Sequence, residues 1–194
     1  TFGGPPVAAG LFAVKLDSDG QHMWSNGFSS TGCGSPSGRI ASIKATAGND
    51  FIIGGSFCGA VDFGDGGINS KGAEDAFVAK LRGGDGSAKK SDYSWVRTFG
   101  DVDLQEITSL AVNPQGLIVA VGNFAGTIST TNNTFKSKDA FIDMFYIRLS
   151  PDGSDLWARA YGDTGLQAAL GVDIDKSGDL IIAGNFSDPF MIQG

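Results

Sequence analysis

Histidine, basic residues and long apolar runs are scarce in this sequence, and each scarcity excludes a class of function. His22 is the one histidine among 194 residues, whereas a Ser-His-Asp triad or a histidine-rich zinc site needs further partners. We expect His22 to be an exposed side chain in a turn. Lys and Arg total 14 against 21 Asp and Glu, a net charge of −7. Phosphate backbones are bound by clustered cations, so nucleic acid is not an expected partner.

Membrane-spanning and helical segments are not predicted either. No apolar stretch approaches the ~20 residues that a membrane-spanning helix needs. Residues 1–6 lack the charged and apolar regions of a signal peptide, so we expect a chain that is either mature or cut from something longer. The 30 glycines and the apolar fraction of 41%, with few helix-forming runs, indicate a globular all-β protein with many turns.

What the chain does contain is an internal repeat. An apolar strand ends in a glycine-aromatic step three times, and the three aromatic residues are Phe57, Phe124 and Phe186. The interval is roughly 65 residues, which holds about four short strands with their turns and corresponds to one blade of a β-propeller. We predict that these phenylalanines belong to the core of the repeat.

A second apolar strand follows in each unit, and a tryptophan comes after it. Trp24, Trp95 and Trp157 therefore share one position of the repeat. This periodic placement favours a packing role, in which the large ring fills space between sheets. The alternative is that the rings stack on sugars, as aromatic faces do in many lectins.

The repeat divides the chain into four parts. Residues 1–30 form a half blade with strands three and four, residues 31–100 and 101–163 form complete blades, and residues 164–194 form a half blade with strands one and two. The prediction is thus an all-β propeller of four-stranded antiparallel blades, about three blades in total. Ordinary propellers have four to eight blades. We expect either a segment of a longer propeller, a module completed by a second copy, or two ends that meet in one shared blade.

The middle unit illustrates the predicted strands. Residues 39–45 form an inner strand, residues 47–50 a hairpin turn, and residues 51–57 the second strand. The second strand has no polar alternation, which predicts that neighbouring blades cover both of its faces. Its glycines would let the adjacent sheet approach closely.

Residues 55–64, together with residues 75–81 and 95–100, resemble the bacterial β-propeller repeat called SBBP. The resemblance covers nearly the whole chain. It implies a propeller in a large secreted or cell-surface bacterial protein, and it brings no catalytic residue set. The third unit departs from the pattern at residues 127–135 and 139–143. Such loop insertions are where propellers usually place specific contacts, or they are neutral surface variation.

Carboxylates occur mostly at expected turns, where Asp side chains satisfy backbone donors. Residues 17–20 and 173–179 also offer the oxygen ligands that calcium takes, although neither has the spacing of an EF-hand. Calcium is therefore an alternative, and no cofactor is otherwise predicted. The spacing between glycine and tryptophan is shared with quinoprotein repeats, but their units are much shorter, so a quinone is a distant second alternative.

Cys33 and Cys58 are the entire cysteine supply. Cys33 precedes the first strand of the middle unit and Cys58 follows its second strand. Paired antiparallel strands bring those ends together, which predicts a disulfide and an oxidising compartment. Two separate thiols are the alternative.

These observations predict a non-catalytic scaffold, secreted or at the bacterial cell surface, whose partners are other proteins or a second copy. One alternative is a lectin-like module that binds glycans in the loops between blades, such as residues 127–139. A further alternative is a hydrolase whose site the missing blades complete.

Overall fold

Sixteen β-strands and no helix form the described part of the chain in the computed structural model, which covers residues 9–34, 37–64, 66–83 and 93–189. No helix long and apolar enough to cross a membrane occurs among these residues. The strands are β1 (Gly10–Leu16), β2 (His22–Thr31), β3 (Gly38–Ala45), β4 (Phe51–Phe57), β5 (Ala60–Asp62), β6 (Gly67–Asn69), β7 (Asp75–Leu81), β8 (Tyr93–Phe99), β9 (Gln105–Val112), β10 (Ile118–Phe124), β11 (Thr127–Ser129), β12 (Thr134–Lys136), β13 (Asp143–Leu149), β14 (Asp155–Tyr161), β15 (Gln167–Ile174) and β16 (Leu180–Phe186).

Hydrogen bonding groups these strands into antiparallel sheets. Sheet I has the order β1-β2-β5-β6, sheet II β3-β4-β7-β8, sheet III β9-β10-β13-β14, and sheet IV β15-β16, while β11 and β12 form a separate hairpin. The predicted all-β class and the four-stranded antiparallel sheets of the two complete units are confirmed.

Sheet I differs from the sequence prediction. Only strands three and four of a unit were expected there, but the β5-β6 hairpin of the next unit extends the sheet. It does so through the backbone pairs Ser30 with Val61 and Thr31 with Ala60. The two successive units are thus joined by main-chain hydrogen bonds, which carry no side-chain pattern that a sequence could reveal.

An apolar layer lies at each junction between successive sheets. The I–II layer contains Leu11, Ala13, Trp24, Phe28, Phe51, Ile53, Phe57, Phe77, Ala79 and Leu81. The II–III layer contains Ile52, Ala76, Val78, Phe99, Ile107, Leu110, Ile118, Ala120, Phe124, Phe145, Ile147, Leu149 and Ala158. The III–IV layer contains Ala111, Val119, Val121, Met144, Ala169 and Val172. Sheets II and III therefore each have an apolar layer on both faces, although two-stranded sheet IV covers only part of sheet III.

Burial of the second strand of each sheet depends on whether neighbouring sheets cover both of its faces. Every residue of β4 and of β10 is buried, as the unbroken apolar pattern predicted. β16 has a similar sequence, yet Ile181 is 61% exposed while Ile182 packs against the III–IV layer. Among the described residues nothing lies on the outer face of sheet IV.

Phe186 departs from its predicted place in the core, because it is 62% exposed. Its counterparts are buried against a phenylalanine of the third strand in their own sheet: Phe57 packs on Phe77, and Phe124 on Phe145. Sheet IV has two strands in the described part of the chain, β15 and β16.

Serine hydroxyls join the first strands of successive sheets. The amide of Leu110 in β9 donates to Ser42 Oγ of β3 at 3.1 Å, and the amide of Val172 in β15 donates to Ser109 Oγ of β9 at 3.3 Å. The three first strands consequently lie side by side.

The repeated glycine of the glycine-aromatic step faces an irregularity in the first strand. The register of β9 and β10 shifts between Val121 and Gly122, and a β-carbon on Gly122 would overlap the carbonyl oxygen of Glu106. A β-carbon on Gly55 would overlap the carbonyl of Arg39 in the same way. These glycines therefore make room for the backbone of their own sheet.

Close approach between sheets occurs one residue earlier. A β-carbon on Gly54 would lie 2.9 Å from Ile107 Cγ2 and 3.2 Å from Leu110 Cδ1 of sheet III. The expectation that a small residue lets the adjacent sheet approach closely thus applies to Gly54. Gly55 instead makes room for the irregularity in β3.

Replacement of Gly122 tests whether this glycine makes room for the backbone of β9. We expect Gly122→Ala to lower the free energy of unfolding by about 2 kcal/mol, because the added methyl overlaps a fixed backbone carbonyl. The matched control is Gly171→Ala, where nothing lies within 4 Å of the added carbon, and its change should stay within about 0.5 kcal/mol. Urea titrations of both variants provide the comparison, and equal midpoints would contradict it.

Candidate functional site

Each complete unit carries an inserted hairpin with the same polar anchor. The amide of Gly59 donates to Ser70 Oγ at the base of β5-β6, and the amide of Gly126 donates to Ser137 Oγ at the base of β11-β12, both at 2.9 Å. The residues that looked like a departure in the third unit, 127–135, therefore form a hairpin equivalent to β5-β6. This element belongs to the repeat.

Two buried aspartates hold these hairpins to the third strands. Asp75 and Asp143 open β7 and β13 and are 1% and 3% exposed. Asp75 accepts from the amide of Lys71 at 3.2 Å, and Asp143 from the amide of Lys138 at 3.1 Å. Burial raises the pKa of both carboxyls, and the backbone bonds oppose that rise without overcoming it. Sequence analysis missed both, although their shared repeat position was a signal.

Asp101 joins the third unit to its hairpin. Its carboxylate accepts from the amide of Thr127 at 2.7 Å, from Gln105 Nε2 at 2.7 Å and from the amide of Asp103 at 2.8 Å. Burial alone would raise the pKa of Asp101, but these hydrogen bonds outweigh it and the pKa lies below its usual value. The group is an ionised structural anchor.

The turn carboxylates also serve the backbone. Asp17 accepts from the amides of Asp19 and Gln21, and Asp175 from those of Ser177 and Asp179. No group of three or more His, Cys, Asp or Glu side chains is placed to hold a metal within the described ranges.

His22 lies at the first position of β2, half-buried, and its Nε2 is 3.2 Å from Ser25 Oγ. The expectation of an exposed turn residue is corrected accordingly. β2 pairs with β1 as far as His22, which lies opposite Leu16. His22 is therefore a strand residue and does not belong to the turn.

Trp24 and Trp95 lie at junctions between sheets. Trp95 donates from Nε1 to the carbonyl of Pro151 at 3.1 Å, and its ring lies over Gly153, where a β-carbon would be 2.7 Å from Trp95 Cδ2. Trp24 stacks on Phe51 with 5.4 Å between ring centroids. Trp157 is partly buried and meets Tyr146 edge-on at 5.5 Å.

Cys33 and Cys58 form the disulfide that the sequence predicted, with 5.7 Å between their Cα atoms. The bond links the segment after β2 to the segment after β4, and so joins sheet I to sheet II. Cys58 is buried. A disulfide is compatible with an extracellular protein.

A groove of about 470 Å³ lies where sheet IV leaves part of sheet III uncovered. Tyr146 and Tyr161 form its aromatic wall: their rings stack with centroids 5.9 Å apart, and their hydroxyl oxygens are 3.4 Å apart. Burial and the hydrogen bond with Tyr161 raise the pKa of Tyr146 to about 12. The other lining residues are Met144, Ala168, Ala169, Leu180, Ile182, Gly184, Asn185 and Phe186.

Exposed apolar side chains mark both ends of the sheet stack. We call the groove, together with the outer side chains Leu170, Ile181 and Ala183 of sheet IV, the trailing face. We call the surface around Phe12, Leu16 and Ile43 on sheets I and II the leading face. Leu170, Ile181, Phe12, Leu16 and Ile43 are all exposed.

No family model matches this sequence, and no curated protein matches it either. The geometry of the chain therefore carries the functional inference. It brings Tyr146, Tyr161 and β16 together at one surface. Sequence analysis did not select the tyrosines, because their exposure depends on how many strands of sheet IV cover them.

The pH dependence of stability reports on the buried aspartate. Because the pKa of Asp75 is raised above 3.8, its contribution to stability is present at low pH and is lost as pH rises through the folded-state pKa. The free energy of unfolding of Asp75→Asn minus that of wild type should therefore increase with pH above about 4. Denaturant titrations over a pH series measure it.

Asp152→Asn is the control of opposite sign. Its hydrogen bond from the Ser150 hydroxyl lowers the pKa of Asp152, so the same difference should fall as pH rises. If the variant-minus-wild-type free energy of unfolding changed with pH in the same direction for both variants, the opposite pKa shifts of Asp75 and Asp152 would be contradicted.

Loss of the disulfide should destabilise the fold. The bonded cysteines are 25 residues apart, and opening a loop of that length costs roughly 3 kcal/mol. We expect the Cys33→Ser and Cys58→Ser double variant to lose that amount in urea titrations. Dithiothreitol should lower the midpoint of wild type and leave the double variant unchanged. If dithiothreitol makes the thiols of the wild type reactive but leaves its urea midpoint unchanged, the disulfide does not contribute to stability.

Proposed function

We propose that this chain is a non-catalytic β-propeller segment that serves as a rigid scaffold for protein contacts outside a bacterial cell. The observation that carries the proposal is the contrast along the stack of sheets. β4 and β10 are buried throughout, whereas the equivalent β16 presents apolar side chains to solvent.

The propeller part of the proposal draws on three features. The complete units are four-stranded antiparallel meanders, successive sheets pack face to face, and the first strands lie side by side. Blades arranged around an axis have these properties. The resemblance to the SBBP repeat agrees with them.

The contact function draws on the exposed apolar faces and on strand edges. Within the described residues β1 pairs with β2 and β16 pairs with β15, each along one edge. An apolar face beside such an edge is suited to a partner that adds a strand and covers the face.

The remaining parts of the proposal rest on polar chemistry. Asp75, Asp101 and Asp143 hold backbone amides of the hairpins, which is a structural use of carboxylates. The disulfide suits an oxidising environment, and the net charge of −7 favours solubility.

A second candidate function is carbohydrate binding. The stacked rings of Tyr146 and Tyr161 beside the groove are the observation that favours it, because aromatic faces pack against the apolar face of a sugar ring. This groove is a candidate site in addition to the loop at residues 127–139.

A photo-crosslinker tests the scaffold proposal. With p-benzoylphenylalanine in place of Ile181, irradiation in the producing cells should attach protein to the trailing face, because that side chain is exposed on an apolar strand. The control places the same group at Lys176, an exposed turn residue. Mass spectrometry identifies the adducts.

Protein adducts at position 181 and none at 176 are the expected result. Absence of protein adducts at 181, with glycan-array binding that Tyr161→Ala abolishes, would replace the scaffold by the carbohydrate-binding candidate. Turnover of a substrate abolished by one point mutation would overturn both.

A further inference from the structure

A polar pocket of about 580 Å³ lies where β3 begins and β4 ends. Its wall includes the two bonded cysteines, Cys33 and Cys58, together with Gly38, Arg39, Ser56 and Glu74. We propose that this pocket binds a basic amino acid, either free or as the last residue of a polypeptide. The site is independent of the scaffold function, because it shares no residue with the trailing face.

The pocket lies where one unit lacks a side chain that the following units have. The register position of Gly38 in β3 is occupied by Gln105 in β9 and by Gln167 in β15. Both glutamines are fully buried. Glycine at position 38 leaves the volume of such a side chain open, and this glycine lines the pocket.

The disulfide holds the chain at the place where a glutamine holds it in the next unit. Gln105 Nε2 donates to the carboxylate of Asp101 at 2.7 Å and to the carbonyl of Ala125 at 2.9 Å, and so fixes the loop before β9. The loop before β3 is instead fixed by the bond from Cys33 to Cys58. A covalent link thus secures this loop without filling the space beside Gly38.

The polar side chains of the wall also differ from those of the next unit. Their positions in the repeat are held there by other residues: Arg39 corresponds to Glu106, Ser56 to Asn123 and Glu74 to Ile142. Ser56 lies opposite Arg39 in the sheet, so their side chains are neighbours on one face. Ser56 Oγ donates to Glu74 Oε2 at 2.8 Å. A cation, a hydroxyl and a carboxylate therefore follow one another along the wall.

The two charged groups of the wall retain hydrogen-bonding capacity for a ligand. Among the described residues Glu74 accepts on Oε2 and not on Oε1. Arg39 donates from Nη2 to Glu106, and a guanidinium has five N–H groups. Glu74 is half-buried and the Arg39 side chain is 56% exposed, so a ligand can reach both.

The charges of the site favour a ligand of net charge +1. Arg39 with Glu74 and Glu106 leaves a net charge of −1, which a basic amino acid neutralises. The ligand carboxylate would accept from Arg39 and the side-chain cation would donate to Glu74, both in charge-assisted hydrogen bonds. An acidic amino acid would instead add charge of the sign already in excess.

The volume of the pocket suits a ligand of this size. Sites for small molecules have volumes of about 300–1,000 Å³, and 580 Å³ holds one amino acid together with water. A ligand of about ten non-hydrogen atoms is expected to bind with a Kd of about 1 mM or lower.

An NMR titration of the ¹⁵N-labelled chain tests the site. L-lysine should shift the amide resonances of Gly38 and Ser56 with a Kd of about 1 mM. L-norleucine has the same skeleton without the side-chain cation, and it should bind about tenfold more weakly because it cannot donate to Glu74. The tripeptide acetyl-alanyl-alanyl-lysine distinguishes the two sources of the ligand.

Variants locate the binding. Glu74→Gln should weaken lysine binding about tenfold and leave norleucine binding unchanged, because the charge that pairs with the side-chain cation is removed. The matched control is Asp179→Asn, which removes one carboxylate charge at an exposed turn position and should leave the Kd unchanged. Gly38→Gln places the glutamine of the following units in the pocket and should abolish binding of both ligands, with circular dichroism reporting whether this variant is folded.

Lysine binding that Glu74→Gln weakens and Asp179→Asn does not would support the site. Binding of the tripeptide as well would identify the end of a polypeptide as a source, whereas binding of lysine alone would identify the free amino acid. Equal affinities for lysine and norleucine, or no shifts at the pocket at tens of millimolar lysine, would overturn the proposal. Equal weakening by the two carboxylate variants would also overturn it, in favour of unspecific attraction to an acidic protein.

Discussion

Burial of each second strand between two neighbouring sheets is the interaction on which this structure depends. Side chains of β4 and β10 alternate between two apolar layers, and each buried aliphatic or aromatic side chain contributes about 1.5–3 kcal/mol. A single sheet of this composition would leave one face of that strand in water. The sheets must therefore stack, and each sheet is stable because the next one covers it.

Because the sheets stack closely, some positions require glycine and the enclosed polar groups require hydrogen-bond partners. Gly122 gives the first strand of its sheet room to bulge, and Gly54 admits the side chains of the next sheet. Polar groups that the stack encloses are satisfied locally: Ser42 accepts an amide of the neighbouring first strand, and Asp75 accepts the amide of Lys71. Burial disfavours the charge of Asp75, yet the same carboxylate fixes the inserted hairpin.

The surface suited to binding arises from the same constraint. Ile181 is chemically equivalent to Ile52, which is buried, and it is exposed because no described sheet lies beyond sheet IV. Tyr146 and Tyr161 line a groove because two strands cover less of sheet III than four would. A strand suited to burial on both faces presents an apolar surface wherever no described sheet covers it.

The sequence by itself determined the all-β class and the four main strands of each complete unit, and it favoured the bond between Cys33 and Cys58 over two separate thiols, because apolar runs, turn residues and cysteine positions are local features of the chain. Only the tertiary structure decided that β5-β6 extends sheet I, that Phe186 is exposed and that two tyrosines line a groove. Those outcomes depend on which backbone edge or apolar face lies opposite. Equivalent sequence patterns such as β10 and β16 carry the same preference for burial, and the surrounding sheets decide whether it is satisfied.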